Sequence, residues 1–291
     1  MRKIKDFDEL LNDMMDSAAS YFAANKIKNL VLGLSGGIDS TITAAIIDLT
    51  KKKYPELELN LIGISLPSKT NEADEQNGAR QCAVFCDEYI EHNIQYEFEV
   101  LRNEAYGVTE HETPISLGNI KARIRMMHLY NMAGIRKGLV LDTDNLTEHN
   151  LGFFTIHGDV ADLNIIGDLW KHEIYELIKW IMNNYYSRHL LKKEALASAI
   201  FITPTDGNGV KSGGDMAQIA PGCTYEEVDK VLDGWIHGTR DKESFIQWCK
   251  EFVPSVSKEN ILKIIERNEN SEFKRKQMPI KIDIPQHNFT E

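Results

Sequence analysis

The chain has 291 residues, 42% apolar and 26% charged, with a formal net charge of −11, a composition suited to one large α/β domain. The acidic balance argues against a broad nucleic-acid footprint, and no apolar run approaches the ~20 residues of a membrane span. Cys82, Cys86, Cys223 and Cys249 have neither zinc-like nor disulfide-scaffold spacing, and the N-terminus lacks a signal-peptide core, so a reducing, cytoplasmic setting is expected.

Residues 6–25 carry Phe7, Leu10, Leu11, Met14, Met15, Ala18 and Phe22 at helical spacing behind Asp6, an N-cap residue. Such a stripe is core or a subunit contact. Asn29 to Leu34 reads as a strand buried on both faces. Ser35-Gly36-Gly37 then turns the chain into a helix running from about Asp39 to Lys53, with Ile42, Ala45, Ile46 and Leu49 on its apolar face. A strand, a glycine turn and a helix N-terminus make an anion site, because bare N–H groups and the positive end of the dipole point at the turn. Ser35 and Ser40 add hydroxyls, and consecutive amides can form a phosphate nest. Asp39 would repel bound phosphates unless a cation lay between them, which argues for a magnesium-bridged nucleotide. No lysine follows the glycines, so this is not the Gly-x4-Gly-Lys loop. The bland alternative is an ordinary turn in which Gly-Gly supplies only backbone freedom.

Leu59–Leu66 is expected as the second strand, ending at Pro67, followed by a helix around Glu72–Cys86 and a third strand over Gln95–Leu101. Val108–Ser116 reads as a loop and Gly118–Ala133 as a helix. Gly138–Leu141 is the fourth strand, with Thr143 to Glu148 at its carboxyl end, and Leu163–Ile166 a short fifth. This alternation implies a doubly wound, mostly parallel five-stranded sheet with helices on both faces. In such sheets ligands sit beyond the carboxyl ends of the strands, where Ser35–Ser40, Pro67 and Thr143–Glu148 converge. After Trp170 the pattern is helical: Lys171–Asn184, Lys192–Ile200, Tyr225–Leu232, Ser244–Phe252 and Lys258–Asn268. The turn-rich segment 203–215 between them is expected to be a mobile lid. The whole chain, 1–291, reads as one domain: an N-terminal helix (1–28), a nucleotide-binding core (29–170), and a helical C-terminal part (171–291) with a mobile loop at 203–224.

Ser35-Gly36-Gly37-Ile38-Asp39-Ser40 resembles the pyrophosphate loop of the ATP pyrophosphatases, with their adenine nucleotide alpha-hydrolase-like fold. Added to it are Ala73-Asp74-Glu75-Gln76, Gly118–Met126, Thr143–Glu148, Gly152-Phe153-Phe154-Thr155 with Gly158-Asp159, and Asp168–Lys171. Tyr225–Asp229 and Phe273-Lys274-Arg275 complete a set that resembles the ammonia-dependent NAD synthetases from about Asn29 to Lys276. That resemblance implies ATP-dependent amidation of deamido-NAD with ammonia, through a nicotinate adenylate, with release of AMP and pyrophosphate.

The resemblance also implies roles by position. Gly33, Leu34, Ser35, Gly36, Gly37, Ile38, Asp39, Ser40, Thr143, Lys171 and Thr205 correspond to ATP contacts. Asp39 and Glu148 correspond to the Mg2+ carboxylates, although Glu148 can also be read as a helix-cap carboxylate. Asp39, Asp144 and Lys171 are the catalytic candidates, with Asp144 beside the ammonia position. Arg123, Ile156, Asp162, Phe273 and Lys274 correspond to deamido-NAD contacts, Arg123 being favoured over Arg125. Ile156 stands where the family usually has lysine, Phe273-Lys274 where it has His-Lys, and the 158–162 stretch is one residue short. No histidine is expected to be catalytic. The chain before Asn29 is too short for the amidase domain of glutamine-using relatives, so free ammonia is the expected nitrogen source unless a separate subunit delivers it. A homodimer is implied, with the helices at 6–25 and 118–133 meeting a partner. The rival readings are another adenylating enzyme of the superfamily and a nucleotide-binding module without turnover.

Overall fold

The computed structural model describes residues 2–68, 72–202, 219–238, 241–275 and 280–290. Thr205 and the whole of the 203–215 segment expected to form a lid lie outside them.

Helix α1, Phe7–Asn25, starts where the Asp6 side chain accepts from the amides of Asp8 and Glu9, an N-cap of the kind that contributes about 1 kcal/mol. Its apolar stripe is buried within this same chain, with Leu10, Leu11, Met14, Ala18 and Phe22 at 0% exposure. The stripe is therefore core, and this face of 6–25 has no subunit to meet. Strand β1 (Asn29–Gly33) leads into α2 (Ile38–Lys53), and β2 (Asn60–Ser65) into α3 (Glu72–Phe85).

The third strand differs from expectation. β3 is Glu88–Glu91, and Gln95–Thr109 is a helix, α4. Glu88-Tyr89-Ile90-Glu91 alternates half-buried and exposed positions at the sheet edge, where a short strand with outward charges suffices. Ile94 and Phe98, buried four residues apart, hold α4 by one face while Val100 and Leu101 stay exposed, a helical and not a strand pattern. The expected loop at 108–116 shrinks accordingly, because α5 spans Pro114–Arg136 and opens on a reciprocal Thr113–Ser116 capping box.

Next come β4 (Leu139–Asp142), α6 (Leu146–Leu151), β5 (Leu163–Asn164), α7 (Lys171–Asn184) and α8 (Leu190–Phe201). Helices α9 (Tyr225–His237), α10 (Lys242–Phe252), α11 (Lys258–Asn270) and the short α12 (Glu272–Arg275) follow, and β6 (Ile280–Lys281) adds a sixth strand. The sheet is parallel throughout, in the order β3-β2-β1-β4-β5-β6. From β1 the chain steps outward through β2 to β3, then returns to place β4 on the other flank of β1. The order thus reverses between β1 and β4, and a crevice opens beyond their carboxyl ends.

Helices α1, α2, α7 and α8 enclose one core against the sheet, and Ile124 of α5 with Phe98 of α4 covers Val31, Ile62 and Val140 on the opposite face. Helices α9–α11 form a third apolar cluster around Trp235, Phe245 and Ile265, which takes in Leu151 of α6 and Trp170 at the start of α7. It buttresses α6 and the start of α7 from behind.

Candidate active site

A cavity of about 460 Å³ lies over the switch point, lined by the 33–40 loop, the end of β2, α5, the end of β4 and the start of α7. Gly36 sits at φ 89°, in the left-handed region that a side chain disfavours. No side chain caps the first turn of α2, since its N-cap is Gly37. The amides of that turn are thereby left for a ligand, as an anion site requires. Helix α3 clamps the loop from below: Gln81 Nε2 donates to the Gly36 carbonyl at 2.9 Å. At Gly78 a Cβ would stand only 2.8 Å from the Leu34 carbonyl oxygen, so glycine there permits the approach.

Three charged side chains converge at the mouth of the loop. Lys171 Nζ lies 2.5 Å from Asp39 Oδ2 and 3.0 Å from Glu148 Oε1, and the lysine side chain is only 2% exposed. Burial works against the ammonium, but the charges of Asp39 and Glu148 outweigh it and hold the Lys171 pKa well above the ordinary value. Burial pushes Glu148 above the usual carboxylate range, with Lys171 opposing and Asp39 adding to the rise. Glu148 caps α6 and faces the lysine at the same time. Its Oε2 accepts the Asn145 amide at 3.1 Å as a capping box while Oε1 meets the lysine. Asn145 Nδ2 donates to Asp39 Oδ1 at 2.9 Å, tying the two sequence-distant loops together.

A hydrogen-bonded chain fixes the lysine from its backbone side. The Lys171 amide donates to Thr147 Oγ1 at 2.8 Å, and Thr147 Oγ1 donates to Asp229 Oδ1 at 2.5 Å. Asp229, fully buried on α9, also accepts from His172 through Nδ1 at 2.8 Å and through the backbone N–H at 3.1 Å. At the end of β4, Asp142 accepts from the amides of Asp144 and Ala161 and from Asn164 Nδ2, which shapes the turn that presents Thr143 and Asp144 to the cavity. Burial, then the charges of Asp142 and Asp159, raise Asp144 well above the usual carboxylate range.

Of the residues singled out from sequence, Gly33, Leu34, Ser35, Gly37, Ile38, Asp39, Ser40, Thr143, Asp144, Glu148, Lys171 and Lys274 line this cavity. Lys274 Nζ donates to the carbonyls of Gly152 and Phe154 at 2.8 and 2.6 Å. Gly36 is buried and is not among the lining residues. Arg123 is exposed outside the cavity, its Nη2 3.3 Å from the Ile156 carbonyl. Asp162 is engaged by the Val140 amide and the Tyr130 hydroxyl, and Phe273 is 61% exposed beside a separate shallow recess.

Arg125, passed over in favour of Arg123, lines the cavity and donates through Nε to the Leu66 carbonyl at 3.1 Å. Ala122, Met126 and Leu129 mark the buried side of α5, and Arg125 borders it, a helical-period signal present in the sequence. Asn145 was also missed, although Asn145-x-x-Glu148 has capping-box spacing. Asp229 was noticed only as part of a motif, because nothing local announces a link from α9 to α6 and α7.

The NAD synthase family model matches residues 10–278. The NH(3)-dependent NAD(+) synthetase of Campylobacter jejuni subsp. jejuni (serotype O:23/36, strain 81-176) is 37% identical over 183 residues, covering 60% of this chain and 68% of that protein. Among solved structures, an NH3-dependent NAD synthetase from Campylobacter jejuni superposes with a TM-score of 0.66 at 26% identity, covering 94% of this chain and 98% of that one. An NMN synthetase from Francisella tularensis shares the fold with a TM-score of 0.72 at 24% identity, over 94% and 98% of the two chains. The chain therefore belongs to the NAD synthase family, ATP-using ligases that form a carbon–nitrogen bond.

Proposed function

We propose that this chain amidates the nicotinate carboxylate of deamido-NAD with ammonia, using ATP. The observation that carries the reading is the meeting of Asp39, Glu148 and Lys171 beside an uncapped glycine loop at the sheet's switch point. A carboxylate accepts ammonia only once one of its oxygens can leave. In the first step a carboxylate oxygen bonds to the α phosphorus of ATP, and the bond to the pyrophosphate oxygen breaks. In the second, ammonia adds to the acyl carbon and the electron pair of the carbon–oxygen bond departs with AMP.

The residues suit each demand. Amides of the 35–40 loop and the Lys171 ammonium hold the departing phosphates where negative charge grows, a kind of stabilisation whose loss typically slows catalysis about 10²–10³-fold per donor. Thr143 borders the nucleotide. Asp39 and Glu148 fit a Mg2+ site: their oxygens already converge on one cation, the Lys171 ammonium, and hard carboxylate oxygens are the ligands Mg2+ prefers. When bound, the ion would neutralise charge on the β and γ phosphates. Asp144, with its raised pKa, is placed to accept a proton as ammonium becomes ammonia. Arg125 and Lys274 offer cations to the dinucleotide from the cavity wall. Outside the described residues, Thr205 is proposed as an ATP contact and the 203–215 segment as the lid that excludes water from the adenylate.

Arg123, Ile156, Asp162 and Phe273 contact the dinucleotide only if the site extends beyond this cavity. A homodimer would provide that extension, with exposed Met127 and Ile135 of α5 at the boundary. Among the described residues no helix is long and apolar enough to cross a membrane, and a cytoplasmic, single-domain enzyme supplied with free ammonia is the proposed setting.

The test is formation of pyrophosphate and NAD by purified protein given ATP, Mg2+, ammonium and deamido-NAD, with Asp39→Ala as control. Nicotinate mononucleotide is offered in parallel as a rival acid. NAD that requires ammonium and Asp39 is the expected result. Pyrophosphate released only with another acid would move the reading elsewhere in the superfamily, and neither product with ATP still bound would indicate a module without turnover.

A further inference from the structure

Outside the residues that line the cavity, three side chains share one small volume. His92, in the β3–α4 connection, brings Nε2 to 2.5 Å from Glu97 Oε1 of α4, and His128 Nε2 of α5 lies 3.7 Å from the same oxygen. The two imidazole rings pack with centroids 4.8 Å apart. All three donor atoms lie within 4.8 Å of one another.

We propose that His92, Glu97 and His128 form a binding site for a divalent transition ion of the Zn2+ class. Two imidazole nitrogens and one carboxylate oxygen make a donor set suited to zinc and its neighbours, whereas Mg2+ prefers oxygen alone. Bonds of about 2.1 Å place tetrahedral donors roughly 3.4 Å apart, and the two distances to Glu97 Oε1 bracket that value. All three side chains reach solvent, so the fourth position is open to water.

The site is tied to the walls of the nucleotide cavity. The His92 amide donates to the Ser65 carbonyl at 3.0 Å and the Ile94 amide to the Pro67 carbonyl at 2.9 Å, and both acceptors belong to cavity-lining residues. His128 follows Arg125 by three residues, nearly one turn of α5. An ion held here therefore joins the carboxyl end of β2 to α5 through side chains that take no part in the proposed chemistry.

The experiment is titration of the full-length protein with Co2+ under excess Mg2+, followed by visible absorption, with Zn2+ as competitor. The expected result is one tetrahedral Co2+ per chain that Zn2+ displaces and that is absent from the His92→Ala/His128→Ala double variant. Circular dichroism should show that variant to be folded. Glu97→Gln should weaken binding about tenfold or more, since even changes behind metal ligands cost about 10–100-fold. Uptake unchanged in the folded double variant, sulfur-to-cobalt charge-transfer bands from Cys82 and Cys86, or no tetrahedral Co2+ in the wild-type protein would each overturn the proposal.

Discussion

Lys171 Nζ and Asp39 Oδ2 stand 2.5 Å apart across 132 residues of sequence, and this ion pair joins the start of α7 to the glycine loop. Glu148 shares the same ammonium at 3.0 Å. Removing the lysine leaves two half-buried carboxylates facing each other, a change bounded above by the roughly 3–5 kcal/mol that one-sided breaking of a fully buried pair costs. Lys171→Met should therefore lower the melting temperature, and millimolar Mg2+ should raise it more in the variant than in the wild type, because the ion replaces the missing charge. Turnover should fall about 10²–10³-fold. Thermal unfolding with and without Mg2+, alongside NAD formation, checks both effects. A variant whose stability ignores Mg2+ would contradict the shared cation position.

Gly78 makes a different demand, since its obstacle is backbone. A methyl group there would meet the Leu34 carbonyl oxygen at 2.8 Å, and Gly36 N at 3.5 Å. Neither atom can rotate away, so the loop must shift. Gly78→Ala should cost about 1–3 kcal/mol of stability, as overpacking usually does, and should raise KM for ATP more than it lowers kcat. Denaturant unfolding and steady-state kinetics separate the two, and an unchanged KM would mean that α3 does not position the loop.

The loop and the end of β4 were legible because their signals are local. An apolar run followed by Gly36-Gly37 forces a turn, and Thr143 to Glu148 directly follows another apolar run. The helices after Trp170 were legible for the same reason, their apolar spacing being continuous. The third strand was misplaced because Glu88–Glu91 has charged residues at both ends and owes its place to pairing with Ile62–Ser65, a contact that periodicity cannot report. Ile280–Lys281 is two residues long and equally dependent on a neighbour. Asp229 belongs to the same class: its worth comes from Thr147 and His172, 82 and 57 residues away.

Arg125 and Arg123 differ by two positions and so face nearly opposite sides of α5. Arg125 lines the cavity, whereas Arg123 is exposed and reaches the Ile156 carbonyl. A hydrogen bond to a charged group contributes about 1.5–3 kcal/mol, so Arg125→Met should raise the KM for deamido-NAD by roughly ten- to a hundredfold. Arg123→Met should have a smaller effect, confined to any part of the site completed by a second subunit. Parallel kinetics on the two variants decide the matter. A larger loss from Arg123 would place the dinucleotide outside the cavity described.

His172 supplies a pH signature independent of the reacting groups. Burial opposes its charge, but the hydrogen bond and charge of Asp229 prevail and raise its pKa above the ordinary imidazole value. A group protonated more readily when folded stabilises the fold fully below its unfolded pKa of about 6.5. That contribution disappears as pH rises through the higher folded value. The stability difference between wild type and His172→Asn should thus be largest near pH 6 and shrink toward pH 9. Because Asp229 also holds Thr147 and the His172 amide, Asp229→Ala should be more damaging at every pH, by about 1–3 kcal/mol for the buried donors left unmatched. Melting curves of the three proteins across that range provide the check. A difference for His172→Asn that grew with pH would mean that the ring is held neutral in the native state.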